Sequence, residues 1–77
     1  MNDKRRKELS NLVMSLESAT STLEMITDAE QDCLDNTPDN LQESDRYSRM
    51  EDAVYALESA AERISDAIEL IEEASSK

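Results

Sequence analysis

The sequence predicts an all-α protein: a long antiparallel helical hairpin that self-associates into a four-helix bundle or a larger oligomer. Three observations lead there. Leu9, Leu12, Leu16, Ala19, Leu23 and Ile26 recur at alternating spacings of three and four, the heptad rhythm of helices packed side by side. Met50, Ala53, Leu57, Ala60, Ile64, Ala67, Ile71 and Ala74 keep the same rhythm. Between the two runs lies a short polar segment with the only proline, Pro38. A chain of 77 residues forms one domain, spanning 1–77, and its hairpin core is thin. One cysteine and no histidine leave neither a disulfide nor a common zinc site as a staple, so self-association is expected.

The first helix is expected over about 3–35, with Asn2 or Asp3 as its N-cap. A polar connector over 36–44 follows. Thr37-Pro38 suits a helix start, and so does Ser44-Asp45, so residues 38–43 form either a plain connector or a separate short turn. The second helix is expected over about 45–75.

Folding the chain about residue 39 or 40 pairs positions whose numbers sum to about 79. Ile26 then meets Ala53, Ala19 meets Ala60, Leu12 meets Ala67 and Leu9 meets Ile71. The basic cluster Lys4, Arg5, Arg6 and Lys7 is laid beside Glu69, Glu72 and Glu73, whose charges it is expected to neutralise. Cys33 extends the first seam and is expected to be buried and reduced. Val13 on one helix, and Val54, Ala61 and Ile68 on the other, form a second apolar edge that an oligomer would cover.

Composition removes several function classes. Without glycine neither a P-loop nor a dinucleotide-binding loop can be built, and without histidine the usual nucleophile–base pair is missing. The net charge of −11 opposes direct DNA or RNA binding. No apolar run is long enough for a signal peptide or a membrane span, so a cytoplasmic protein is expected. Glu69 and Glu72 have the spacing of a shared Mg²⁺ site, but no matching acidic motif stands on the other helix. Neither an enzyme nor a metal or cofactor site is expected.

The pattern breaks near the closed end. Glu30 falls on the first seam and Arg46 on the backward extension of the second. Arg46 comes opposite Cys33, and Arg49 opposite Glu30. Either these form an ion pair that locks the register, or the arginines grip an anionic ligand, since guanidinium suits phosphate and carboxylate geometry. Asn36, Thr37, Asn40, Gln42 and Ser44 surround them, and Tyr47 sits between the arginines. Its ring either stacks a base or covers the end of the bundle. The candidate ligand-binding residues are Arg46, Arg49, Tyr47, Asn36, Asn40, Gln42 and Ser44.

The stretch from Asp35 to Arg46 resembles a segment, approximately D-N-x-P-x-x-L-Q-x-S-x-R, of small helical proteins from phages and prophages of Gram-positive bacteria. Tyr47 stands where such proteins often have glycine. The resemblance implies a phage-like origin, and small phage proteins of this general kind can counter host defence by sequestering a nucleotide signal.

Two functions are therefore expected. One is capture of a small anionic ligand such as a nucleotide by Arg46, Arg49 and Tyr47. The alternative is an acidic inhibitor or adaptor that covers a basic surface of a host nucleic-acid-binding protein.

Overall fold

In the computed structural model, which describes residues 1–77, helix α1 runs Asp3–Asp35 and helix α2 runs Asp45–Ser75. A single 3-10 turn, Asp39–Leu41, lies between them. These bounds follow from local chemistry. Asn2 is the N-cap of α1, its side-chain oxygen accepting the Arg5 backbone N–H at 2.8 Å. Ser44 caps α2 the same way, accepting the Tyr47 N–H at 3.2 Å while donating its hydroxyl to Leu41 O at 2.7 Å. Pro38 has no N–H to donate and stands in an extended conformation just ahead of the 3-10 turn. The Thr37 hydroxyl turns back to Cys33 O at 2.9 Å and so does not cap that turn.

The helices pack antiparallel along their length in a rod measuring 59 × 15 × 12 Å. No helix is long and apolar enough to cross a membrane. Arg6 fixes the register at the open end, where its Nε donates to Ser75 O at 3.0 Å, a pairing whose numbers sum to 81. This is the only side-chain hydrogen bond that joins the two helices. The rest of the basic cluster does not neutralise the acidic final turns as expected. The Arg6 guanidinium pairs with its neighbour Asp3, Glu73 pairs with Lys77, and Lys4, Arg5 and Lys7 form no ion pair.

On α1 the seam is rotated one residue from the expected one. The half-buried positions of α1 are Arg6, Leu9, Val13, Leu16, Thr20, Leu23, Thr27, Glu30, Gln31 and Leu34, while Leu12, Ala19, Ile26 and Cys33 are exposed. On α2 the expected Met50, Leu57, Ile64 and Ile71 face inward with Tyr47, Val54, Ala61 and Ile68; the expected Ala53, Ala60 and Ala67 are half-buried beside them, and Val54 is the one buried residue. The expected second edge is thus the inside of the hairpin, and part of the expected seam is its flank. Cys33 is exposed, contrary to expectation, because it belongs to that flank. Thr20 and Thr27 tolerate inward positions because their hydroxyls bond to Leu16 O and Leu23 O, each at 2.8 Å.

The two flanking rows lie on the same side of the rod. An antiparallel pair is related by a two-fold axis perpendicular to the plane of its helices, so equivalent rows emerge on one face. One face therefore carries the row Leu12, Ala19 and Ile26 of α1 and the row Ala53, Ala60 and Ala67 of α2, the first exposed and the second half-buried. The opposite face shows Glu17 and Glu24 beside Glu51, Glu58 and Glu72. The hairpin has an apolar side and an acidic side.

Candidate functional site

The closed end forms a cleft of about 580 Å³. Glu30 and Cys33 from α1, residues Asn36 to Pro38, Leu41 and Ser44 from the connector, and Arg46, Tyr47 and Met50 from α2 line it. Its shape follows from the connector. The 3-10 turn brings Leu41 to the cleft, and the Ser44 cap starts α2 so that Arg46 falls on the flanking row and Tyr47 on the inward row. Both line the cleft, Tyr47 half-buried and Arg46 exposed.

Of the seven candidate residues, four converge there: Arg46, Tyr47, Asn36 and Ser44. The other three do not line the cleft. Gln42 is held by the connector, its Nε2 donating to Thr37 O and to Asp39 Oδ1, both at 3.3 Å. Asn40 sits on the outside of the 3-10 turn and is exposed. Arg49 lies three residues beyond Arg46, which is 300° around the helix, and so stands on the next row out from the cleft. Thr37, expected in the polar surround of the arginines, also lines the cleft, as do Pro38, Leu41 and Met50, which were not expected there. Met50 was legible as a seam residue, and Pro38 and Leu41 take part through the path of the connector.

The register-locking ion pair is not formed. Neither Arg46 nor Arg49 is within ion-pair distance of Glu30 or of any other carboxylate. One guanidinium without an ion-pair partner therefore shares a cleft with a seam carboxylate and an aromatic ring. No group of three or more Cys, Asp or Glu side chains is placed to hold a metal ion. Such a cleft can present a fork of N–H donors and an aromatic face to a planar anion.

At the open end a shallower cleft of about 520 Å³ lies on the acidic side, between Arg6, Ser10, Val13 and Glu17 on α1 and Glu72 and Ser75 on α2. Its one cation, Arg6, is already engaged by Asp3 and by Ser75 O. No family model, curated protein or solved structure matches this chain.

Proposed function

We propose that the chain is a non-catalytic, self-associating binding protein of phage type, acting in the bacterial cytosol. On this reading it captures a small anionic ligand of the nucleotide class at its closed end, as a counter-defence protein would. The carrying observation is the convergence of Arg46, Tyr47, Asn36 and Ser44 on one cleft in which the guanidinium has no carboxylate partner. Arg46 would hold phosphate, the Tyr47 ring would stack a base, and the Asn36 amide would supply both donor and acceptor to its edge. The negative charge of the chain opposes such a ligand at long range, but beyond about 8 Å physiological salt screens most of that repulsion. Self-association is supported by how little the hairpin buries alone: one residue of 77.

In titration calorimetry with nucleotides, Arg46→Ala is expected to lose binding while its circular dichroism stays helical. Arg49→Ala, outside the cleft, is expected to lose less. Full binding by Arg46→Ala would overturn the assignment.

The acidic side favours a second reading, the inhibitor or adaptor that covers a basic host surface. Five glutamates, Glu17, Glu24, Glu51, Glu58 and Glu72, occupy the rows that flank the seam there. If that reading holds, changing Glu17, Glu24 and Glu58 to Lys should cut capture of a basic partner, and added salt should slow association. Indifference to both would exclude it.

A further inference from the structure

The closed-end cleft opens on the apolar side of the rod, since Cys33 and Arg46 belong to that side's flanking rows. On this side the α1 row stands open, with Leu12 and Ile26 46% and 51% exposed, while Ala53, Ala60 and Ala67 of α2 are half-buried. We infer that a second copy of the chain covers it, with the closed end of each copy over the open end of the other. In that arrangement each copy's Arg5 completes the other's cleft.

Area argues for a second copy. The hairpin exposes 5981 Å², whereas a folded monomer of its 8.7 kDa exposes about 4,700 Å². The surplus of about 1,300 Å² exceeds the roughly 800 Å² that each partner contributes to a stable interface.

The apolar rows are also self-complementary. Ala19 lies midway between Leu12 and Ile26, and Ala60 midway between Ala53 and Ala67. A two-fold axis crossing the rod at these two alanines sets Leu12 over the partner's Ile26 and Ala53 over the partner's Ala67. The face is then the same on both copies, as a closed dimer requires.

Charge decides the direction. Residues 28–52, at the closed end, carry nine carboxylates and two arginines. The open end, residues 1–10 with 66–77, carries six carboxylates and five cations. Stacking closed end on closed end would oppose the two most negative parts of the molecule. Stacking closed on open instead sets the more balanced end of each copy, with its Lys4 and Arg5, against the more negative end of the other.

The same register brings Arg5 level with the partner's Cys33, on the cleft wall. Arg5 belongs to the flanking row of α1, is exposed and has no ion-pair partner in its own chain. It would supply a second guanidinium to a cleft whose own chain provides only Arg46 and opposes it with Glu30. The role given to Arg5 rests on the ligand reading above; the docking does not.

The two parts are tested separately. For the docking, Cys33→Ser/Ser48→Cys carries a spin label on the exposed outer surface of α2. With closed ends at opposite poles, the labels are separated by about 36 Å along the rod, from 24 residues at 1.5 Å each. A dimer mass with a dipolar distance beyond about 35 Å is expected. A dimer with a distance well below that would overturn the direction, and a monomer mass would overturn the docking. For Arg5, the probe is pyrophosphate. Arg5→Ala and Arg46→Ala are each expected to lose its binding as dimers. Mixing and exchanging their subunits should restore about a quarter of the clefts, since half the dimers are mixed and each has one intact cleft. No restoration, where the unaltered protein binds, would overturn the shared site. If the unaltered protein does not bind pyrophosphate, Arg5 loses its assigned role, whatever the label distance.

Discussion

Thr20 and Thr27 hold two inward positions of a hairpin that has very little core, and replacing both by valine is expected to stabilise it. Each hydroxyl bonds to the carbonyl four residues before it, at 2.8 Å, and that carbonyl keeps its own helical N–H donor after the change. A hydroxyl back-bonded to a carbonyl that already has its helical donor gains little over its own desolvation, so its removal is close to neutral. The new methyl, half-buried, adds about 0.4 kcal/mol. The balance is roughly 0.4 kcal/mol per site and about 0.8 kcal/mol for the pair, since the sites lie two turns apart and should add. For a chain of this size that raises Tm by about 3–6 °C. Thermal unfolding followed by circular dichroism reads the shift, with protein concentration held fixed because any self-association would make Tm concentration-dependent. If the seam ran instead through Leu12, Ala19 and Ile26, the threonines would lie on the flank, with nothing to gain from valine. An unchanged or lowered Tm would refute the rotated seam.

Val54→Ala, at the one buried residue, should cost about 2 kcal/mol through two lost methyl groups and the space they leave, read as a lower midpoint in urea. Ser44→Ala removes the cap of α2 and should cost about 1 kcal/mol, with the loss concentrated in faster amide exchange over the first turn of α2.

The bounds of the hairpin were legible because end signals are local. Asn2, Ser44 and Pro38 each act within a few residues, and the two long helices run over the stretches expected, while a separate turn within 38–43 was one of two open alternatives. Which row faces inward was not legible. Leu12 and Ile26 are larger and more apolar than Thr20 and Thr27, so hydrophobicity alone selects the wrong row of α1. The threonine hydroxyls are satisfied within their own helix, a local bond that a count of apolar residues does not register. On α2 the two rows differ little at Ala60 and Ala61, but Val54 and Ile68 outweigh Ala53 and Ala67 and pointed to the inward row. Cys33 followed the same error outward. Within the candidate site, Arg46 and Tyr47 were legible from the break in the seam. Arg49, Asn40 and Gln42 were grouped with them by closeness in sequence, which neither the 300° step along α2 nor the path of the connector preserves.

Native mass spectrometry decides whether a self-associated hairpin takes up an anion at its closed end, as proposed. The protein is mixed with a pool of linear and cyclic nucleotides and sprayed from volatile buffer. The expected result is a dimer, or a multiple of it, that carries a discrete added mass, with the addition absent from Arg46→Ala. An oligomer that takes up no nucleotide, or one whose Arg46→Ala variant takes up as much, would contradict it.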